Sequence, residues 1–469
     1  MMQLKFLAIS LFAITLIACA SSERQQTRLA GKRPNIVFIL ADDLGIGQVG
    51  AYRENKIRTP NLDKLAAAGM RFTHAYSGST LCSPSRVSLL TGRDGRLLHG
   101  NENTISLRKQ DVTIAQLLKQ AGYETRLIGK YGVGDELGFN DPLTAGFDHW
   151  FGYMTNIEAH RQYPSYLYRD NEKVTIKENQ NNAKGVLAHD LFTREALDYI
   201  RTPKQKPFFL LLTYNFPHAE LAAPKDTLQQ YSNSFKETPY IGIAEGTGFS
   251  RFYPEPVAKP RATLAAMVAA IDRDVGRIVT ELDNSGLSND TIVFFTSDNG
   301  PHREGGADPQ FFEAAAPHRG IKRDLYDGGI RVPMIVRWPG QIDAAVVNDT
   351  PWAFADVLPT FADLAGIDLV SVAGVQSNGV SIVSVLKENS KLPERDLYWE
   401  LNTNHKHYST DNIRQALRRG QWKVVRYGGN NSMELYNVIL DPGESHNLAG
   451  QHPELTAEVK AFFDKRLAK

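Results

Sequence analysis

Short β-rich apolar runs alternate along most of the chain with stretches whose apolar residues recur at helical spacing. Ile36 to Leu40 is the first such run, and Asn61 to Met70, following Pro60, reads as a helix. From Asp111 to Ala121 the pattern sets Ile114, Leu117, Leu118 and Ala121 on one face and stops at Gly122. Tyr123 to Ile128 and the apolar Phe208 to Thr213 read as strands. Leu264, Met267, Val268, Ile271, Val275, Ile278 and Leu282 mark a long amphipathic helix that feeds the strand Thr291 to Phe295. Val332 to Val336 is a further strand, ending at Trp338-Pro339-Gly340. This alternation predicts an α/β fold around a mostly parallel, buried central sheet.

The character changes after about Gly374. Leu397 to Leu401, Gln421 to Tyr427 and Glu434 to Val438 read as antiparallel strands separated by polar turns, with a last helix from about Pro453. A chain of 469 residues exceeds the usual size of a single core. The expected division is a large domain over 34–373 and a smaller C-terminal subdomain with an antiparallel sheet over 374–469.

Composition is that of an ordinary globular protein, and the formal net charge of +1 sets up no long-range field. That argues against nucleic-acid binding and against a polybasic membrane patch, so an anionic substrate has to be held by local charges. The N-terminus adds a targeting signal. Lys5 precedes an apolar run from Phe6 to Ala18 that is too short for a comfortable membrane span. It ends in Leu16-Ile17-Ala18-Cys19, which resembles the bacterial lipobox. Residues 1–19 then read as a lipoprotein signal with Cys19 lipidated, and 20–33 as a tether. A plain signal peptide is the alternative. The expected location is the bacterial cell envelope, at the outer membrane, with the lipid anchor as the only membrane contact.

Candidate chemistry sits at strand ends. Asp42-Asp43 closes the first strand and Asp298-Asn299-Gly300 closes the one ending at Phe295. Adjacent carboxylates repel unless a cation or proton intervenes, and an all-oxygen donor set suits Ca²⁺ better than zinc. Gly45-Ile46-Gly47-Gln48-Val49-Gly50 matches a dinucleotide fingerprint, but two carboxylates stand directly before it and no credible helix follows. Phe216-Pro217-His218 puts a histidine just past a strand, where it can donate a proton. Cys19 lies in the targeting region, so Cys82 is the one thiol of the mature body. It reads as lying just upstream of a helix, with Ser83 as N-cap and Pro84 in the first turn, a setting that favours anions. From the residues alone it is either a nucleophile or an inert packed thiol.

The run Cys82-Ser83-Pro84-Ser85-Arg86, continuing to Leu90-Thr91-Gly92, resembles the signature of the formylglycine-dependent sulfatases. The resemblance extends from Arg33-Pro34-Asn35-Ile36 to Gly328-Gly329-Ile330-Arg331-Val332-Pro333. It includes Gln421-Trp422-Lys423, Glu434-Leu435-Tyr436-Asn437 and Asp441-Pro442-Gly443-Glu444. It implies an alkaline-phosphatase-like α/β sandwich and hydrolysis of sulfate esters. It also implies oxidation of Cys82 to formylglycine by a maturation enzyme, and a calcium site of Asp42, Asp43, Asp298 and Asn299 with the modified Cys82. Lys130 resembles the family's sulfate-binding lysine and Lys322 its active-site lysine, and Arg86 completes a cationic set. In the implied mechanism a hydroxyl of the hydrated aldehyde attacks sulfur, and His218 protonates the departing alcohol.

One position departs from the family. Where many members have G-K-W-H-x-G, this chain has Gly129-Lys130-Tyr131-Gly132-Val133-Gly134, so the family's active-site histidine is Gly132. His160 is the first candidate to take over its proton, with His302 second; either is alternatively a substrate contact. A sulfated carbohydrate of galactose type is the expected substrate, and Trp150, Phe151, Tyr153, Tyr163, Tyr166 and Tyr168 are candidate stacking surfaces or core. A phosphatase or phosphonate hydrolase of the same superfamily and a non-catalytic carbohydrate-binding relative are the alternative readings.

Overall fold

The computed structural model describes residues 33–98, 105–134, 137–138, 140–245, 252–402, 410–428 and 432–467. Cys19, the targeting segment and nearly all of the tether lie outside the described residues. The first apolar run forms β1 (Asn35–Asp42), buried along its whole length. It is followed by β2 (Met70–Phe72), β3 (Ala75–Tyr76), β4 (Glu124–Lys130), β5 (His149–Tyr153), β6 (Tyr166–Arg169) and β7 (Glu172–Thr175). Next come β8 (Phe208–Pro217), β9 (Thr291–Ser297), β10 (Met334–Arg337), β11 (Val346–Asn348) and β12 (Trp352–Ala353). Ten of these make one sheet in the spatial order β11-β2-β10-β9-β1-β8-β4-β5-β6-β7, while β3 and β12 pair separately. β1 runs parallel to both neighbours, with Val37 opposite Leu210 and Val293.

Alternation along β1 feeds two cores. Val37 and Ile39 join Leu210, Leu212 and Val293 against the helices Pro60–Ala67, Ala188–Arg201 and Pro260–Asn284. Ile36, Phe38 and Leu40 join Phe209 and Phe294 against Cys82–Thr91, Ile114–Gln120 and Val357–Ala365. The result is a three-layer sandwich. A second, antiparallel sheet follows in the order β13 (Asp396–Asn402), β14 (Ile413–Arg419), β15 (Trp422–Tyr427), β16 (Glu434–Asn437). One of its faces, with Trp399, Val425 and Tyr436, packs on Tyr76, Tyr326 and Ile330 of the larger body. Phe463 of the helix Pro453–Leu467 covers the other face.

Several expectations need correction. The helix after Pro60 stops at Ala67, and Met70 already belongs to β2. The aromatic segment from His149 is an extension of the large sheet. Trp150, Phe151, Tyr153 and Tyr168 are buried there. Trp150 stacks on Tyr168 at 5.5 Å, and Phe151 and Tyr153 meet Phe192 edge-on. These four are core, not sugar platforms; Tyr163 and Tyr166 are half-buried. The glycines of the false dinucleotide motif serve packing: a Cβ on Gly45 or Gly47 would stand 2.1 or 2.3 Å from the carbonyl oxygen of Ala314 or Glu313. Among the described residues no helix is long and apolar enough to cross a membrane.

Candidate active site

The adjacent strands β9, β1, β8 and β4 are parallel and end at one edge of the sheet, where open α/β sheets carry their sites. Their C-terminal ends present, in that spatial order, Asp298 and Asn299, Asp42 and Asp43, His218, and Lys130. Asp43 turns out of the strand at φ 66°, a left-handed conformation uncommon for a side chain of its kind, and its amide donates to Asp298 Oδ1 at 3.1 Å. Lys322 arrives on the loop ahead of Asp327. Cys82 is the first residue of its helix, capped by Leu81, so it lies inside the first turn and Ser83 is not the N-cap. The Ser83 hydroxyl finds a better acceptor than the helix offers and donates to the Gly132 carbonyl at 2.8 Å.

The aspartates, Asn299, Cys82, His218, Lys130, Lys322 and Arg86 are all buried, and carboxylates alternate with cations. Cys82 Sγ lies 3.2 Å from Asp42 Oδ1 and 3.6 Å from Asp43 Oδ1. Lys130 Nζ meets Asp42 Oδ2 at 2.6 Å, Lys322 Nζ meets Asp43 Oδ2 at 2.7 Å, and Arg86 Nη2 meets Asp298 Oδ2 at 2.8 Å. Burial alone would raise Asp42, but Lys130, His218 and Arg86 outweigh it and hold the carboxyl well below the usual range. Asp298 behaves oppositely. Burial, then the charge of Asp42, pushes it up to about 7 against the pull of Arg86. Burial, reinforced by Asp298 and Asp42, also raises the Cys82 thiol well above its ordinary value, so the bare thiol is held protonated.

Three imidazoles form a stack beside this cluster. His218 lies between His160, at 4.9 Å between ring centroids, and His302, at 5.5 Å, with interplanar angles of 12° and 18°. His218 Nδ1 is engaged with the carbonyl of Ala219, which fixes it as a donor and leaves Nε2 facing the site, 3.5 Å from Asp43. His302 Nδ1 must accept from the amide of Glu304 at 3.1 Å, and its Nε2 then donates to the Pro217 carbonyl at 3.0 Å. Both of its nitrogens are committed to backbone. Neither ring nitrogen of His160 has such a backbone bond among the described residues. Burial, then the neighbouring His218, lowers His160 to about 2, so its imidazole is neutral.

Gly132 explains why no histidine stands there. Its φ is +73°, and a Cβ would sit 3.1 Å from Lys130 Cε and 3.3 Å from Arg86 Cδ. Glu304 is the functional candidate that sequence reasoning missed. It is buried, with Oε2 3.6 Å from both His218 Nε2 and Lys322 Nζ. The only signal for it is its place in the loop that starts at Asp298.

The carboxylate oxygens of Asp42 and Asp43 are donors that a hard divalent cation takes. Asp42, Asp43, Cys82 and His218 each offer an atom within 4.8 Å of the others. Asn299 Nδ2 donates to Asp43 Oδ1 at 2.6 Å, and among the described residues the buried Asn299 Oδ1 has no hydrogen-bond partner. An orphaned amide oxygen beside crowded carboxylates is what an oxygen-seeking ion would satisfy.

The sulfatase family model matches residues 34–367, and the model for the C-terminal part of N-sulphoglucosamine sulphohydrolase matches 320–469. N-acetylgalactosamine-6-sulfatase of Mus musculus is 31% identical over 451 residues, covering 90% of this chain and 77% of that one. The N-acetylgalactosamine-6-O-sulfatase of Bacteroides thetaiotaomicron is 26% identical over 537 residues, covering 96% of both. Among solved structures, Ps i-CgsB in complex with k-i-k-neocarrahexaose matches with a TM-score of 0.77 at 26% identity, covering 92% of each chain. The phosphonate monoester hydrolase of Agrobacterium radiobacter shares the fold, with a TM-score of 0.65 at 19% identity, covering 93% of this chain and 95% of that one. A family model that spans most of the chain, over a fold of the alkaline phosphatase type, settles the class: the chain belongs to the sulfatase family and is a sulfuric ester hydrolase.

Proposed function

We propose that this enzyme hydrolyses the sulfate ester of a galactose-type sugar. In this reading Cys82 is converted to formylglycine by a maturation enzyme, and Ca²⁺ is held by Asp42, Asp43, Asp298, Asn299 and the modified residue 82. The observation that carries the reading is the convergence of Arg86, Lys130 and Lys322 on the carboxylates around Cys82. Three aspartates already balance these three cations, so a divalent ion would leave the positive excess that an anionic ester requires. Once formed and hydrated, the aldehyde would supply an oxygen nucleophile where burial keeps the thiol protonated. The metal would supply Lewis-acid stabilisation of oxygen charge.

The chain's own groups divide the remaining work. Lys130, Lys322 and Arg86 hold the sulfuryl oxygens as charge builds on them. As an imidazolium, His218 delivers a proton from Nε2 to the departing alcohol oxygen; burial, then Lys322, lowers the ring to about 4, and it gains that second proton when the anionic ester binds beside it, its Nδ1 proton staying with Ala219. Gly132 cannot move a proton, and His160, whose ring lies against His218, is the base that replaces the family histidine. His302, bound to backbone at both nitrogens, stacks on His218 and keeps it in place.

The N-acetylgalactosamine-6-sulfatases among the relatives support a galactose-type substrate. The test is sulfate release by matured enzyme from a panel of galactose and N-acetylgalactosamine monosulfates. Turnover of at least one is expected, and none with any member would overturn the sugar assignment. A lipid anchor at Cys19, at the bacterial outer membrane, belongs to the same proposal; Cys19→Ser should release active, soluble protein, and unchanged membrane retention would refute it.

A further inference from the structure

We propose that Glu304 accepts a hydrogen bond from a hydroxyl of the departing sugar close to the sulfated carbon, and thereby selects sugar sulfates over esters that lack such a hydroxyl. The inference rests on the sulfatase reading and concerns the alcohol side of the same pocket. Glu304 is 2% exposed, between Cys82 at 3% and His218 at 1%, the groups a substrate has to reach. Its Oε2 lies 3.6 Å from His218 Nε2, the atom assigned to the departing oxygen. A carboxylate there repels sulfuryl oxygens, so it does not belong to the sulfate cradle. Its Oε2 is equally 3.6 Å from Lys322 Nζ, so Glu304 stands where the cradle meets the side on which the departing alcohol would lie.

An ionised carboxylate only accepts hydrogen bonds, at about four lone-pair positions. Arg323 binds Oε1 at 2.5 Å and the Tyr253 hydroxyl binds Oε2 at 3.1 Å, which leaves acceptor capacity for a hydroxyl donor. The Arg323 guanidinium at 2.5 Å and Lys322 Nζ at 3.6 Å flank the Glu304 carboxylate, a setting that favours its ionised, acceptor-only form. Its position relative to the acid is fixed by one imidazole. His302 takes the Glu304 amide on one nitrogen and gives the other to the carbonyl of Pro217, the residue before His218. Arg323, partly exposed, holds the other carboxylate oxygen of Glu304 in place.

The test compares kcat/KM for the best galactose-type monosulfate of the panel with that for 4-nitrophenyl sulfate, at high enzyme concentration. Both substrates use the sulfate cradle, but the aryl ester has no hydroxyl to offer Glu304. In Glu304→Gln the ratio of sugar to aryl kcat/KM should fall about 10- to 100-fold, the loss expected for one hydrogen bond to a charged group. An unchanged ratio, including an equal fall on both substrates, would overturn the proposal, the latter assigning Glu304 to the chemistry or the fold. Should Glu304→Gln lose cooperative melting, Arg323→Gln, at a partly exposed position, must lower the same ratio; no change there would overturn the proposal equally. Matured wild-type enzyme that released sulfate from neither ester would instead overturn the sulfatase reading beneath it.

Discussion

The imidazole of His160 lies flat against that of His218, with centroids 4.9 Å apart and planes within 12°. Tyr253 closes on the same ring at 5.4 Å. The contact sets the candidate base and the candidate acid side by side. Loss of a general base typically costs 10²–10⁴-fold. His160→Ala should therefore lower kcat by about that much, with KM little changed. A raised KM at constant kcat would recast His160 as a substrate contact, and wild-type turnover would remove it from the mechanism.

Restoring the family histidine at position 132 should fail. Its backbone is left-handed, and any side chain there presses on Lys130 and Arg86. Gly132→His should cost about 1–3 kcal/mol of stability and lower activity. Thermal melts and steady-state kinetics check this. A variant as stable as the wild type and faster would contradict the account of Gly132 given above.

Calcium should stabilise the protein through the aspartate cluster. A ligand that binds only the native state at 100 times its Kd adds about 2.7 kcal/mol. The wild-type Tm should rise with calcium, and that rise should vanish in Asp298→Asn, which removes a ligand charge while keeping the side chain's size. Metal analysis that found two transition-metal ions in active enzyme would contradict the calcium assignment and favour a phosphatase.

The strand ends were legible because their chemistry is local. Asp42-Asp43 closes the apolar run Ile36 to Ala41 and Asp298-Asn299 follows the run Ile292 to Phe295 after two residues, and such runs mark buried strands whatever surrounds them. β14 was not legible, because Arg414, Arg418 and Arg419 break its apolar pattern. Arg418 is nonetheless buried, donating to the Tyr76 hydroxyl and the Gly420 carbonyl, partners that only the folded chain supplies. Ser83 does not cap the Cys82 helix because its hydroxyl is taken by the Gly132 carbonyl, 49 residues away. Glu304 escaped for a similar reason. Its loop has no periodicity, and its partners His302, Arg323 and Tyr253 come from three separate stretches of the chain.

The chemistry turns on residue 82, and mass spectrometry of the tryptic peptide that contains it, taken from enzyme of known specific activity, tests the account most directly. Cys82 is the one described cysteine, buried 3.2 Å from Asp42 with its thiol held protonated. The account predicts that specific activity rises in proportion to the fraction of peptide carrying an aldehyde or its hydrate, and that Cys82→Ala is folded and inactive. Full activity in a preparation whose residue 82 is entirely unmodified thiol would contradict it.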